Sequence, residues 1–113
     1  MITYNDMNDI FHALAHETRR EIMGIVGGCS GISVGELATC FDVSRIAVMN
    51  HLAVLEKAGL VISEKDGRAR RLYLNVAPIQ MIYDRWTDEY SGYWANRITN
   101  IKYNAEKASG KRK

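Results

Sequence analysis

The sequence predicts a mainly α-helical chain with a small β-hairpin, in the order α-α-α-α-β-β-α. Three observations predict it: apolar residues recur at helical spacing up to about residue 58, an Asp-Gly dipeptide separates two short β-type runs, and a second helical pattern follows Pro78. The 113 residues have the length of one domain. We place this domain at residues 1–105 and expect a basic, flexible tail at residues 106–113.

The first two helices are predicted from apolar spacing and a stop signal. The first carries a periodic apolar set: Met7, Ile10, Phe11 and Leu14. The second covers E-T-R-R-E-I-M-G-I-V and should stop at the glycines of 27–28, because glycine is common at helix C-termini. We expect one of Arg19 and Arg20 to pair with an acid inside the domain.

The third and fourth helices are short and close together. S-V-G-E at residues 33–36 has a capping-box pattern, and its apolar residues through Phe41 give about two turns. After a brief break, Ser44 can cap a helix over 44–58 that ends at Gly59. Two short helices joined by a turn of three or four residues form a helix-turn-helix.

The fourth helix has apolar residues on two faces. Its inner stripe, at spacings i, i+4 and i+7, consists of Val48, Leu52 and Leu55. Its opposite side consists of Ile46, Met49 and Asn50, with Arg45 at the edge. Apolar side chains on the outside of a soluble helix need a covering, which a binding partner would supply.

A β-hairpin follows the fourth helix. The β-type runs 60–63 and 70–76 flank K-D-G-R, and Asp-Gly is a strong hairpin signal. A hairpin directly after a helix-turn-helix is a wing, placed at 62–73, so the predicted fold is a winged helix-turn-helix. Residues 1–43 carry two bases and six acids, whereas residues 44–71 carry six bases and three acids. This basic middle region indicates a polyanionic partner.

A long last helix is predicted over about 77–105, roughly 40 Å in length. Most of its apolar and aromatic residues recur every three or four positions: Ile79, Ile82, Trp86, Tyr90, Tyr93, Trp94, Ile98 and Ile101. That stripe is too long to be buried within so small a domain, so we expect burial against a second copy in a homodimer. The alternative is that the aromatic residues line a pocket for a small apolar or cationic effector.

These segments, in this order, resemble the ArsR/SmtB family of winged-helix repressors over residue 9 to about residue 79. The strings that carry the resemblance are A-L-A-H-E-T-R-R-E-I-M, S-V-G-E-L-A, V-S-R-I-A-V-M-N-H-L-A-V-L-E-K-A-G-L-V and D-G-R-A-R-R-L-Y-L-N. The later W-T-D-E-Y-S-G-Y-W-A-N-R-I resembles a subgroup with two tryptophans in the last helix. The resemblance implies a homodimeric repressor of double-stranded DNA with a two-fold-symmetric operator. The first and last helices would form the dimer interface through Ile10, Phe11, Leu14, Ile82, Trp86, Tyr90, Tyr93 and Trp94.

The fourth helix is the expected reading element. In a major groove, Arg45 would donate to guanine or a phosphate, and Asn50 would pair with adenine or hold the DNA backbone. Ile46 and Met49 would meet thymine methyl groups; the alternative is that they pack on the second helix or the wing. The resembling family usually has Ser in place of Met49 and often a basic residue or Gln in place of Asn50, which leaves the operator sequence open.

Further DNA contacts are expected at the helix start and in the wing. Ser44 would cap the helix and touch a phosphate, while His51 either packs and hydrogen-bonds inside the fold or contacts a phosphate. The wing carries a basic cluster: Lys65, Arg68, Arg70 and Arg71. Arg68 is nearest the tip and would enter the minor groove, and alternate residues such as Arg70 would face phosphates. The alternative is a solvated hairpin.

No metal or cofactor is expected. Metal-sensing relatives carry a thiolate motif E-L-C-x-C-D, whereas this chain has E-L-A-T-C-F, in which Ala38 replaces the first cysteine and Cys40 remains. One thiolate without a second soft ligand cannot close a tetrahedral zinc site. We expect Cys29 and Cys40 to be small buried apolar residues in a reducing cytoplasm. The alternatives are a site shared across a dimer, drawn from Cys29, Cys40, His12 or His16, and a dithiol redox switch.

Other functional classes find little support in the sequence. No membrane span, secretory signal, glycine-rich phosphate loop or catalytic constellation is present, and Asp84, Asp88 and Glu89 look like a solvated helix face. The sequence therefore predicts a cytoplasmic DNA-binding repressor that is not an enzyme. Two alternatives stay open: a winged-helix module for an acidic protein partner, and a ligand- or redox-responsive sensor.

Overall fold

The order of helices and strands matches the predicted winged helix-turn-helix, with one added strand. The computed structural model describes residues 2–88 together with Arg97 and Ile101. In chain order, its elements are α1 (Tyr4–Leu14), α2 (Glu17–Gly28), β1 (Ile32–Ser33), α3 (Val34–Ala38), α4 (Arg45–Lys57), β2 (Val61–Asp66) and β3 (Ala69–Leu74). Residues 77–88 are also helical.

The wing belongs to a three-stranded antiparallel sheet of order β1-β3-β2. The sequence did not predict β1, because two residues are too few to show an alternating pattern. The strand is defined by its pairing with β3. Ile32 pairs with Leu72, and the N–H of Gly31 donates to the carbonyl of Leu72 at 2.9 Å. This pairing joins the start of α3 to the wing.

The hairpin turn lies one residue later than the Asp-Gly signal predicts. Asp66 pairs with Ala69, so the two-residue loop consists of Gly67 and Arg68. Gly67 has a φ of 62°, and no non-glycine described residue has a positive φ. A positive φ at only the first loop residue is the pattern of a type II′ turn, which favours glycine at that position. Arg68 is thereby placed at the tip.

The connection between α3 and α4 is longer than predicted. The helix over 34–38 ends before Phe41, and six residues instead of three or four separate it from α4. Successive i→i+3 bonds tighten this end: Thr39 N–H donates to the Glu36 carbonyl at 3.2 Å and Cys40 N–H to Leu37 at 3.0 Å. The Thr39 hydroxyl also donates to the Glu36 carbonyl at 2.6 Å, so a polar side chain competes for the acceptor that would continue an α-helix.

The predicted caps of α3 and α4 are confirmed. Ser33 Oγ accepts from the N–H of Glu36 at 3.1 Å. The Glu36 carboxylate accepts from the Ser33 hydroxyl and not from the Ser33 backbone N–H. Ser44 Oγ accepts from the N–H of Ala47 at 3.1 Å. At the other end of α4, Gly59 has a φ of 75°. Its N–H donates to the Glu56 carbonyl, and the N–H of Leu60 donates to the carbonyl of Leu55, the third-last helical residue, in a Schellman pattern.

The predicted stop of α2 at the glycines of 27–28 is confirmed, and Gly27 also lies close to β3. Gly27 and Gly28 are the last helical residues, and the C-cap is Cys29. A Cβ on Gly27 would lie 2.9 Å from Leu74 Cδ2, so a larger residue would require the Leu74 side chain to shift. Gly27 thus combines a position at the helix end with a close contact to β3.

The core lies where α4 packs against α1, α2, α3 and β2. The predicted inner stripe of α4 is confirmed, with Val48 and Leu55 fully buried and Leu52 4% exposed. Fully buried side chains of the surrounding chain complete the core: Ala13, Ile22, Val26, Leu37, Leu60 and Leu72. This packing fixes the orientation of α4 and hence of its outer face.

The expectation that Arg19 or Arg20 pairs with an acid is wrong. Arg19 is 8% exposed and donates to the carbonyls of Ala13 (2.8 Å) and His12 (2.9 Å), while Arg20 donates to that of Leu14 (2.7 Å). These carbonyls lie in the last turn of α1, which carries partial negative charge, and that of His12 also accepts from the Ala15 N–H at 3.3 Å. Both guanidinium groups therefore cap α1.

The chain divides into two units, residues 1–81 and residues 82–113. In the second unit, Ile82 is buried and Trp86 is exposed. The predicted continuation of the last helix to 105, the tail 106–113, and the predicted interface residues Tyr90, Tyr93 and Trp94 fall outside the described residues. None of the helices within residues 2–88 has the length and apolar character that crossing a membrane requires.

Candidate functional site

The outer face of α4 is exposed as predicted. Ile46 is 71% exposed and Met49 is 47% exposed, and Arg45 and Asn50 are exposed as well. The alternative that Ile46 packs on α2 or the wing is therefore wrong. Ser44 caps the helix, so the N–H groups of the first turn lie at the same end of the helix as Arg45 and Ile46.

Val43 extends this apolar face and was missed in the sequence. It is 53% exposed and precedes the N-cap. With the exposed Ile46 and Met49 it makes up a set of apolar side chains, which we call the apolar row. In the sequence, Val43 falls in the break before the fourth helix, where helical spacing gives no signal.

The basic side chains divide into two groups by their partners. Within the described part of the chain, Arg45, Lys65 and Arg68 make no side-chain hydrogen bond or ion pair. All three are exposed. Arg68 lies at the wing tip and Arg45 at the first turn of α4, so these cations are available to an external anion. We call them the free cations.

Arg70 and Arg71 are engaged within the fold. Arg70 donates to Ser63 Oγ at 2.6 Å and lies 3.7 Å from the Glu56 carboxylate of α4. Arg71 donates to the carbonyl of Gly31 at 3.3 Å and forms ion pairs with two carboxylates, Glu36 at 3.5 Å and Asp66 at 3.3 Å. These contacts tie the wing to α4 on one face and to α3 on the other.

A cleft of about 410 Å³ lies between α3, α4 and the wing. We call it the wing cleft; its lining residues are Ser33, Val34, Gly35, Arg45, Met49, Leu52, Glu56, Arg68, Ala69 and Arg70. It adjoins the outer face of α4 and shares Arg45, Met49 and Arg68 with the surface described above.

His51 faces the interior and not the outer face of α4. It is half-buried, its Nδ1 lies 3.3 Å from Arg19 Nη1, and its ring centroid lies 4.6 Å from that of His16. Arg19 is permanently charged and can only donate, so His51 Nδ1 is the acceptor. Burial lowers the pKa of His51, and the charges of His16 and Arg19 lower it further. This geometry supports the packing and hydrogen-bonding role.

The expectation that both cysteines are buried is wrong. Cys29 and Cys40 are free and exposed, because Cys29 caps the C-terminus of α2 and Cys40 lies in the turn after α3. The Sγ of Cys40 lies 3.7 Å from the Glu36 carbonyl. Among the residues that the structure describes, no three His, Cys, Asp or Glu side chains are grouped so as to hold a metal ion.

The predicted interface residues on α1 differ in exposure. Ile10 is 2% exposed, so the protomer already buries it. Phe11 is 42% exposed and Leu14 is half-buried. In the second unit, Trp86 is 45% exposed and Ile82 is 7% exposed. Exposed apolar surface available to a second copy thus lies at Phe11, Leu14 and Trp86.

Similarity to known proteins covers the segment that carries this site. Residues 14–64 match the sequence model of a family described as a helix-turn-helix domain. The HTH-type transcriptional regulator Rv2034 of Mycobacterium tuberculosis is 39% identical over 98 residues, which cover 82% of this chain and 90% of that protein.

Solved structures agree with this similarity over almost their whole length. The ArsR-like transcriptional regulator from Rhodococcus sp. RHA1 superposes with a TM-score of 0.69 at 35% identity, covering 90% of this chain and 94% of that one. The crystal structure of an ArsR family transcriptional regulator superposes with a TM-score of 0.70 at 31% identity, covering 83% of this chain and 95% of that one.

Proposed function

The chain belongs to the ArsR family of helix-turn-helix transcriptional regulators, and we propose that it acts in the cytoplasm as a repressor that occupies an operator in double-stranded DNA. One observation carries the assignment of the reading surface: α4 presents an exposed apolar row beside unpaired polar and cationic side chains. A soluble protein covers such a surface with a partner. Double-stranded DNA supplies both phosphates for the cations and methyl groups for the apolar row.

The N-terminal half of α4 would enter the major groove. Its core stripe holds the opposite face, so Arg45, Ile46 and Asn50 point away from the domain. Arg45 would donate to guanine or a phosphate, and Asn50 would pair with adenine. Ser44, at the helix start, would bring backbone N–H groups toward a phosphate.

The apolar row would read methyl groups on thymine. Each thymine carries a C5-methyl group in the major groove that other natural bases lack. Burial of one methyl-sized group contributes about 0.8 kcal/mol, or roughly fourfold in affinity. An operator with thymines opposite Ile46 and Met49 would therefore be preferred over one with cytosines.

The wing would contact the DNA backbone through its free cations. Arg68 at the tip would enter the minor groove or meet a phosphate, with Lys65 beside it. For Arg70, Arg71 and His51, the contacts inside the fold support positioning roles, and direct DNA contact at these three residues stays a prediction.

We also propose a homodimer that reads two half-sites about one duplex turn apart, roughly 34 Å. Exposed Phe11 and Trp86 support it, since each leaves aromatic surface for a second copy to bury. Sedimentation equilibrium at micromolar concentration should give twice the protomer mass. Phe11→Lys should raise the dimer dissociation constant, and Asn5→Lys, at an exposed position on another face of the same helix, serves as the charge control.

Selection of bound sequences from a random DNA pool tests the function directly. We expect an enriched two-fold-symmetric motif with a specific affinity at least about 10³-fold above that for unrelated DNA. Equal competition by unrelated DNA at moderate salt would favour the alternative of a protein-contact module for an acidic partner.

Replacing thymidine by 2′-deoxyuridine in the selected operator tests the apolar row. Each uracil opposite the row removes one methyl group and should weaken binding roughly fourfold. Met49→Ala and Ile46→Ala should each become insensitive to uracil at one position, whereas Tyr4→Ala, far along the chain on α1, should keep the full sensitivity. Uracil substitution without effect at every thymine would contradict methyl reading.

A further inference from the structure

The wing cleft combines an apolar floor with a positively charged rim. Leu52 is 4% exposed and Val34 is 8% exposed at its base. Three guanidinium groups, from Arg45, Arg68 and Arg70, stand on its lining, against the single carboxylate of Glu56 among the described lining residues. Its volume of about 410 Å³ lies within the range of small-molecule sites. An anion with an apolar body matches this lining.

Arg70 Nη2 donates to Ser63 Oγ at 2.6 Å and makes only a long contact with Glu56. The contact between Arg70 and Glu56 is the one that a ligand can replace. Their nitrogen and oxygen lie 3.7 Å apart, beyond the roughly 2.7–2.9 Å of a strong charge-assisted hydrogen bond. The Arg70 side chain is 58% exposed, so an incoming carboxylate can reach it. A ligand carboxylate could accept two parallel N–H bonds from the planar guanidinium, an arrangement that the Glu56 contact does not reach.

We propose that the wing cleft binds a small organic anion, a carboxylate on a flat apolar body, and that this binding opposes DNA binding. The carboxylate would accept from Arg70, and the apolar body would lie on Leu52 and Val34. The regulatory half of the inference rests on the proposed function, because Arg45, Met49 and Arg68 belong to both the cleft and the DNA-reading surface. Two ligands that need the same side chains lower each other's affinity by the same factor.

Binding without DNA tests the site itself. Isothermal titration of the full chain with 2-naphthoate should give saturable binding, and amide NMR shifts should map to Gly35, Met49 and Ala69. 2-Naphthamide keeps the shape without the charge and should bind roughly tenfold more weakly or worse, since hydrogen bonds to charged groups contribute about 1.5–3 kcal/mol. Inorganic phosphate supplies the charge alone and should also bind more weakly than naphthoate. If phosphate bound as tightly as naphthoate, the cleft would be a binding site for the phosphates of the DNA backbone, and the proposal would be overturned.

Variants separate the cleft from general charge effects. Arg70→Gln should weaken naphthoate binding roughly tenfold, and Glu56→Gln should strengthen it by removing the competing carboxylate. Lys57→Gln removes a positive charge from the same helix outside the cleft and should leave naphthoate affinity unchanged. An equal loss in Arg70→Gln and Lys57→Gln would overturn the site, and circular dichroism melts show whether each variant is folded.

Competition against labelled operator DNA tests the regulation. Saturating 2-naphthoate should raise the DNA dissociation constant at least about tenfold, and 2-naphthamide at the same concentration should not. Naphthoate binding that leaves DNA affinity unchanged would overturn the regulatory half. Absence of naphthoate binding in a chain that binds its operator would refute the cleft site while the proposed function stands. A chain that binds naphthoate but no DNA would refute the proposed function and support the cleft site.

Discussion

Replacing Arg68 by alanine should weaken DNA binding, whereas replacing Arg71 by alanine should lower stability. The two residues lie only three positions apart in one wing. Arg68 makes no hydrogen bond or ion pair among the described residues, whereas Arg71 contacts Gly31, Glu36 and Asp66. We therefore expect Arg68→Ala to act on DNA binding alone. Arg71→Ala should act on the stability of the domain and on the position of the wing.

The magnitudes follow from these contacts. One lost phosphate contact lowers the slope of log affinity against log salt by about 0.9 per protomer, which corresponds to roughly fivefold in affinity at about 0.15 M salt. Arg68→Ala should show this change with an unfolding free energy within about 0.5 kcal/mol of the parent. For Arg71, a hydrogen bond to a carbonyl contributes about 1 kcal/mol, and each half-exposed ion pair contributes 0 to about 1 kcal/mol. Arg71→Ala should therefore lose about 1–3 kcal/mol of stability and keep the salt slope.

Urea unfolding and fluorescence-anisotropy titrations of operator DNA at several salt concentrations measure both quantities. Arg71→Lys supplies the matched control, because it keeps the charge but loses the planar fork that spans the Gly31 carbonyl and a carboxylate. Its stability should fall between those of the parent and the alanine variant. The positioning role of Arg71 is refuted if Arg71→Ala unfolds like the parent and its salt slope drops by about 0.9, since Arg71 would then be a phosphate contact.

Three further outcomes are expected from single side chains. The pKa of His51 is lowered by burial and by the charges of His16 and Arg19, so on acidification the unfolded chain binds a proton before the folded chain does. The contribution of His51 to stability should be complete above about pH 6.5 and should fall as the pH decreases below it. Urea unfolding at pH 7 and pH 5 measures the difference, which His51→Gln should reduce. Ser44→Ala should cost about 1 kcal/mol in urea unfolding, whereas Ser44→Asp should keep the cap and lose DNA affinity in anisotropy titrations through repulsion of phosphate. Gly24→Ala, with open space at its Cβ, should increase the free energy of unfolding by about 0.5–1 kcal/mol and raise the melting temperature. Gly59→Ala, at a φ of 75°, should decrease the free energy of unfolding by about 1–2 kcal/mol and lower the melting temperature.

The sequence predicted α4 well because its signals are local. Ser44, Gly59 and the buried stripe are all read within fifteen residues of one another, and each is a consequence of helix geometry. The wing was equally visible from its two β-type runs. The turn position was wrong by one residue, because Asp66 pairs across the hairpin and leaves Gly67 to adopt the positive φ.

The site was predictable only in outline because partners distant in sequence decide it. Composition alone could not show that Arg68 and Arg71 have different roles. The Gly31 carbonyl that accepts from Arg71 is 40 residues away in the chain, and only the pairing of β1 with β3 brings the two residues together. The wing cleft likewise exists only once α3, α4 and β3 are assembled. The cysteines were wrongly expected to be buried because the expectation came from their usual behaviour and not from a position in a pattern.

The division of the basic residues limits how this chain can recognise DNA. Of the six bases in residues 44–71, Arg70 and Arg71 are paired with carboxylates, and Lys57 lies at the C-terminal end of α4, away from the reading surface. The free cations Arg45, Lys65 and Arg68 remain for phosphates. Three phosphate contacts set a salt slope of about 2.7 per protomer for this part of the chain, a modest electrostatic contribution. A larger share of specific affinity must then come from base contacts. The apolar row is the surface that can supply it, because each methyl group it covers adds affinity that salt does not screen.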